Sequence, residues 1–112
     1  MRILFVENHA QFVNVVTRNF LGGHEVTPVP SLAGAWALLT EETFDVVLVD
    51  YDLVDGKGDE LVRKIKASSL PVKIVAVSAH DRGNTALREA GAEAVCSKMT
   101  FSGIGSVLAS IG

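Results

Sequence analysis

The chain has 112 residues, 48% of them hydrophobic and 21% charged, which suits a single domain able to bury a core without staples. Thirteen acidic residues against ten basic ones leave a formal charge of -3, the wrong sign for a general nucleic-acid binder, and this much apolar sequence excludes intrinsic disorder. Cys96 is the only cysteine, so no internal disulfide can form and a reducing, cytoplasmic setting fits best. No apolar run approaches the ~20 residues of a membrane span, and MRILFV at the start lacks the length and cleavage site of a signal peptide.

Apolar runs alternate with amphipathic stretches along the chain. Ile3–Val6 is a short continuous run, as a strand buried on both faces requires. Ala10–Leu21 follows, with Phe12, Val16 and Phe20 at helical spacing, and Gly22-Gly23 ends it. Glu25–Val29 is a second strand. Ser31 is the expected N-cap of a helix whose stripe is Leu32, Ala35, Trp36 and Leu39. VVLVD, residues 46–50, is the strongest strand signal, and Asp52–Gly58 reads as a loop. A helix from about Asp59 carries Leu61, Val62 and Ile65, and Arg63, Lys64 and Lys66 form its solvated, dipole-complementing end. Lys73–Val77 is a fourth strand. Asp81 is the expected cap of a helix through Leu87, stopped by Gly91, and Ala94–Ser97 is a weaker fifth strand. The final helix presents Phe101, Ile104, Val107, Leu108 and Ile111 on one face, and Gly103 and Gly105 should fray its start. Alternation of strands and helices predicts an α/β domain, a parallel sheet with helices on both faces. The whole chain, 1–112, reads as one such domain with no output module.

In open parallel sheets, chemistry gathers at the carboxyl ends of the strands. Glu7-Asn8 follows the first strand, Asp50 ends the third, Ser78 follows the fourth and Lys98 the fifth. The set holds oxygens for a hard cation, a carboxylate nucleophile, a hydroxyl and an ammonium. His9 and His80 lie near this rim and are read as exposed loop residues, with transition-metal ligation the sharper alternative. Cys96 is read as a small buried strand residue and Trp36 as part of a core-facing stripe.

These segments together resemble the receiver domain of two-component response regulators. DVVLVDYDLVDGKGDEL (45–61) looks like that family's phosphoacceptor strand and loop, VENHAQF (6–12) its acidic pair, and PSLAGAWALL (30–39) its second helix. VKIVAVSAHD (72–81) resembles its fourth strand with the hydroxyl residue, and GAEAVCSK (91–98) its fifth strand with the lysine. The resemblance implies a flavodoxin-like (βα)5 doubly wound fold with sheet order 2-1-3-4-5. It implies phosphorylation of Asp50 by a histidine kinase or histidine phosphotransfer protein, with Mg²⁺ held by Glu7, Asn8, Asp50 and the backbone carbonyl of Asp52. Ser78 and Lys98 would then stabilise the phosphoryl group. Such a protein is a phosphoacceptor rather than an enzyme. It relays its signal through protein contacts, with no direct nucleic-acid or membrane partner.

The pattern is broken in places. Asn8 stands where the family has a second carboxylate, so weaker Mg²⁺ binding is expected. Val95 stands at the aromatic switch position of the fifth strand, and a branched aliphatic side chain cannot repeat an aromatic swing. Met99 follows Lys98 where proline is usual, so a trans peptide is expected, and Val54 stands where proline is frequent in the loop. The alternative reading is therefore a degenerate receiver, a phosphorylation-independent interaction module. A flavodoxin-like cofactor enzyme is disfavoured, because Asn8-His9-Ala10-Gln11 forms no glycine-rich phosphate loop.

Overall fold

The computed structural model describes residues 1–112. Its central sheet is built from β1 (Arg2–Val6), β2 (Glu25–Val29), β3 (Val46–Val49), β6 (Lys73–Ala76) and β7 (Ala94–Val95). All neighbours are parallel and the order is β2-β1-β3-β6-β7. Counting only these strands, that is the expected 2-1-3-4-5. Between β3 and β6 lies a small antiparallel hairpin, β4 (Asp52–Leu53) and β5 (Gly56–Lys57). The helices are α1 (Ala10–Phe20), α2 (Leu32–Glu41), α3 (Gly58–Ala67), α4 (Asp81–Ala90) and α5 (Ile104–Ile111).

Side chains alternate across a strand, and here both faces are covered. Ile3 and Phe5 of β1, Val46 and Leu48 of β3, and Val75 of β6 with Val77 just beyond it pack with Val13 and Val16 of α1 and Ile104 and Leu108 of α5. The intervening Leu4, Val6, Val47, Val49, Ile74 and Ala76 pack with Ala35 and Leu39 of α2, Leu61, Val62 and Ile65 of α3, and Leu87 of α4. That double burial is why the three central strands read as unbroken apolar runs rather than alternating ones.

Local signals place most helix ends. Ser31 caps α2, its hydroxyl accepting from the Gly34 amide at 3.0 Å. Gly91 ends α4 at φ 129°, a backbone conformation that glycine adopts without a Cβ clash. Several expectations are corrected. The 52–58 segment is a hairpin and not an open loop, because Asp55 at its tip reaches across to the start of α2. There its carboxylate accepts from Leu32 at 2.7 Å and Ala33 at 3.1 Å, hydrogen bonds that hold its pKa below the ordinary aspartate value. The buried stripe of α1 is Val13 and Val16, while Phe20 is exposed. His80, not Asp81, is the residue before α4. The last strand is only Ala94–Val95, and α5 begins at Ile104, preceded by a 3₁₀ segment, Lys98–Gly103, that is kinked at Thr100. The basic end of α3 is exposed to solvent as expected, and is also paired: Arg63 bridges Asp59, Lys66 bridges Glu93, and Lys64 stacks 4.6 Å from the Trp36 ring centroid.

Candidate functional site

Backbone hydrogen bonds run on past the strand ends and fix the residues beyond them. Glu7 donates to Val29 at 3.0 Å, Asp50 to Val6 at 2.9 Å, Val77 to Val49 at 2.8 Å, and Lys98 to the Ser78 carbonyl at 3.2 Å. Four strand ends are thereby stitched into one rim, where the side chains of Glu7, Asp50 and Lys98 meet in one cup.

Glu7 and Asp50 are 3% and 4% exposed, burial that charged groups accept only with a partner. Lys98 is that partner. Its Nζ lies 2.5 Å from Glu7 Oε1 and 3.1 Å from Asp50 Oδ2. Its ammonium also sits 5.1 Å from the Phe12 ring centroid, an aromatic wall that holds the lysine over the cup. The other Asp50 oxygen accepts from the Tyr51 amide at 2.8 Å. Burial, and secondarily the charge of Glu7, push the Asp50 carboxyl up to about 6, although Lys98 pulls the other way.

The opposite side of Glu7 faces the first loop. Oε2 accepts from the His9 amide at 3.1 Å and lies 2.9 Å from His9 Nδ1. The outer end of the Asn8 amide stands 3.2 Å from the same Oε2 and 3.1 Å from the Asp52 carbonyl oxygen. With the amide oxygen turned inward, oxygens meet there with no proton between them. With the nitrogen inward, it donates to both. Ligand atoms of Glu7, His9 and Asp50 all lie within 4.8 Å of one another. Oxygens of two carboxylates and a carbonyl converge beside the Asn8 amide, whose rotation presents a fourth oxygen; such a donor set suits a hard divalent ion, so the residues present fit Mg²⁺.

Of the residues singled out in the sequence, Glu7, Asn8, Asp50, Asp52 and Lys98 are brought together. Ser78 lies at the adjoining strand end, 3% exposed, its hydroxyl accepting from the His80 amide at 3.2 Å. Val95 is half-buried against the layer formed by α2, α3 and α4. Met99 is exposed, and every peptide bond is trans, including that between Lys98 and Met99. Cys96 is buried, and burial pushes its thiol pKa up.

His9, read as an exposed rim residue with metal ligation as the alternative, does have an exposed ring, and its Nδ1 also touches Glu7. One contributor went unread in the sequence. Asn84, in the first turn of α4, is buried and clasps Ser78. Its Oδ1 accepts from the Ser78 amide at 2.9 Å and its Nδ2 donates to the Ser78 carbonyl at 3.0 Å. No local pattern marks it.

A groove lined by His9, Gln11, Phe12, Val15 and Lys98 opens beside the cup. A buried carboxylate, a facing ammonium and oxygens that fit a cation make the cup suited to receiving an anionic group on Asp50.

The family model for the response regulator receiver domain matches residues 3–101. No curated protein matches the sequence. Among solved structures, the response regulator TrrA from Thermotoga maritima in complex with Mg²⁺ and BeF is similar over 99% of this chain and 98% of its own, with TM-score 0.88 and 18% identity. A CheY-like receiver domain protein from Methanospirillum hungatei is similar over 98% and 89%, with TM-score 0.81 and 24% identity. The receiver domain of the histidine kinase CKI1 from Arabidopsis thaliana is similar over 98% and 88%, with TM-score 0.82 and 24% identity.

Proposed function

Because the chain belongs to the response regulator receiver domain family of two-component systems, we propose that Asp50 is phosphorylated by a histidine kinase or histidine phosphotransfer protein and that the signal passes on through protein–protein contacts. The observation that carries this reading is the pairing of a buried Asp50 carboxylate with the Lys98 ammonium at 3.1 Å, at the common edge of the strand ends.

Two negative groups must approach for transfer to occur, the Asp50 carboxylate and the incoming phosphoryl group. An Asp50 oxygen forms a bond to phosphorus as the bond from phosphorus to the donor histidine nitrogen breaks, and the imidazole regains its proton from solvent. Lys98 already lies between carboxylates and needs only a small shift to pair with a phosphoryl oxygen. The hydroxyl of Ser78, whose backbone Asn84 clasps at the next strand end, is the hydrogen-bond donor. Glu7, Asn8, Asp50 and the Asp52 carbonyl hold Mg²⁺, which when bound neutralises the charge that builds on the phosphoryl oxygens. The groove beside α1 is the route by which the donor histidine approaches. In the cytoplasm the lone thiol of Cys96 stays reduced, consistent with work there.

Incubation with acetyl phosphate and Mg²⁺, followed by intact mass measurement, tests the reading. A labile phosphoryl adduct in the wild type that is missing from Asp50→Ala supports it. No adduct under any condition overturns it.

The same cup supports a second reading, a phosphorylation-independent interaction module. Lys98 faces both carboxylates, and the Asn8 amide with its nitrogen inward bridges Glu7 and Asp52, so the chain's own donors can serve where a cation would. Val95 in place of an aromatic residue points the same way.

A further inference from the structure

We propose that His9 is a ligand of the divalent ion at this site, so that the site selects a nitrogen-accepting first-row ion such as Co²⁺ over Mg²⁺. The inference rests on the reading of the cup as a cation seat, and adds to it a ligand of different chemistry.

The argument is one of spacing. Two adjacent ligands of an octahedral ion with bonds of about 2.1 Å stand about 3.0 Å apart. Glu7 Oε2 and His9 Nδ1 are 2.9 Å apart. Glu7 Oε2 and the inward end of the Asn8 amide are 3.2 Å apart, and that end is 3.1 Å from the Asp52 carbonyl oxygen. Glu7 Oε2, His9 Nδ1 and the Asp52 carbonyl oxygen are thus linked by spacings suited to neighbouring ligands, and the Asn8 amide, whose nitrogen now donates between Glu7 and Asp52, supplies a fourth ligand once it turns its oxygen inward. Asp50 completes the group, its nearest oxygen within 4.8 Å of the Glu7 and His9 atoms.

Lys98 engages Glu7 Oε1 and Asp50 Oδ2 and leaves Glu7 Oε2 to the loop. Its ammonium also stands at hydrogen-bond distance, 3.5 Å, from His9 Nδ1, a contact that an ion bound to that nitrogen must displace. Glu7 has no side-chain exposure, so its Oε2 is held in place. Its geometry is fixed from the backbone as well, through the His9 amide bond to the same oxygen at 3.1 Å.

Chemistry then sets the preference. Asn8 supplies an oxygen without charge, which lowers the Coulombic attraction on which Mg²⁺ depends. An imidazole nitrogen adds little for Mg²⁺ but binds first-row transition ions well. Replacing a carboxylate and adding an imidazole both move selectivity in one direction.

Titration calorimetry of the full chain with Mg²⁺ and with Co²⁺, for wild type and His9→Ala, tests the proposal. The variant should lose about tenfold or more in Co²⁺ affinity while its Mg²⁺ affinity changes by less than about twofold. In the wild type, Co²⁺ should shift the His9 ring proton resonances strongly, a readout that needs no variant. Both ions binding with no dependence on His9, and His9 resonances unmoved, would overturn this proposal and leave the phosphoacceptor reading standing. Neither ion binding at all overturns the cation seat itself, and the acetyl phosphate experiment then decides the phosphoacceptor reading separately.

Discussion

Gly58 and Asp50 meet backbone to backbone. A Cβ on residue 58 would stand 2.0 Å from the Asp50 carbonyl oxygen, so no side chain fits at the start of α3 while Asp50 keeps its place. The close approach is sealed by the Gly58 amide donating to the Tyr51 carbonyl at 2.6 Å. Gly58→Ala should therefore push the third strand end outward, with a loss of about 3 kcal/mol in urea unfolding and weaker phosphoryl labelling. Gly105→Ala, where nothing lies within 4 Å in the helix α5, is the control. It should be neutral or stabilise by up to about 1 kcal/mol through its helix propensity.

Ionised Asp50 is a liability for the fold. Its carboxyl is pushed up to about 6 in the native protein from the ordinary aspartate value of 3.8, chiefly because it is buried and secondarily because Glu7 is near. The native state thus holds this proton more tightly than the unfolded chain does. Below about pH 4 both states are protonated and the group has no effect. Between pH 4 and 6 the native state progressively loses stability relative to a neutral side chain, and above about 7 the loss is complete. Asp50→Asn should be the more stable protein at pH 7.5, by on the order of 2 kcal/mol, and the gap should close as the pH falls to 4. Thermal melts of both proteins across that range check the sign.

Lys98 keeps two buried anions apart in energy. Lys98→Met leaves Glu7 and Asp50 facing each other without the ammonium that contacts both. Removing one member of a buried charge group is expected to destabilise by about 3 kcal/mol. Loss of the lysine also raises the Asp50 pKa further, so the destabilisation should be larger at pH 8 than at pH 5, where Asp50 takes a proton. Millimolar Mg²⁺ should restore part of the loss, since the cation substitutes for the missing charge. Urea midpoints at the two pH values, with and without the ion, measure all of this.

Most of the fold was legible because the central strands are buried on both faces. ILFV, VVLV and KIVA need no alternation to be recognised, and the polar residue that ends each run marks where the sheet meets solvent. The rim of the cup followed, since parallel strands in register bring their carboxyl ends together. What escaped was set by contacts far apart in sequence. The 52–57 hairpin is pinned by Asp55 on the amides of Leu32 and Ala33, and nothing in DLVDGK announces that anchor. Lys64 finds Trp36, and Lys66 finds Glu93, only once α3 is laid against its neighbours. The α1 stripe was half legible: its spacing picked out Val16, but the helix turns Val13 rather than Phe20 to the sheet beside it.

Asn84 shows how much rests on such an unheralded contact. Its amide closes a two-bond clasp on the Ser78 backbone, and the Ser78 carbonyl also receives the Lys98 amide. Asn84→Ala orphans the Ser78 N–H inside the protein, with an expected loss of about 2 kcal/mol. Because the clasp sits between the fourth and fifth strand ends of the sheet, the same variant should speed hydrogen exchange at the Ser78 and Lys98 amides more than at Leu48 in β3. Exchange mapped by NMR distinguishes this local loosening from a uniform loss of stability.

Asn8→Asp tests whether the missing carboxylate limits the cation. Two unit charges about 4 Å apart interact by roughly 4 kcal/mol at an effective dielectric of ~20, and a divalent ion doubles that attraction. Desolvation of the new carboxylate removes much of the gain, leaving about 1.4 kcal/mol, or tenfold in Mg²⁺ affinity. Without the ion, the variant should be less stable than wild type, because a third carboxylate joins Glu7 and Asp50 and the amide can no longer donate to Glu7 Oε2 and the Asp52 carbonyl. The two effects have opposite signs, so melting temperature plotted against Mg²⁺ concentration should start lower for Asn8→Asp and cross the wild-type curve. Parallel curves would mean that residue 8 does not touch the ion.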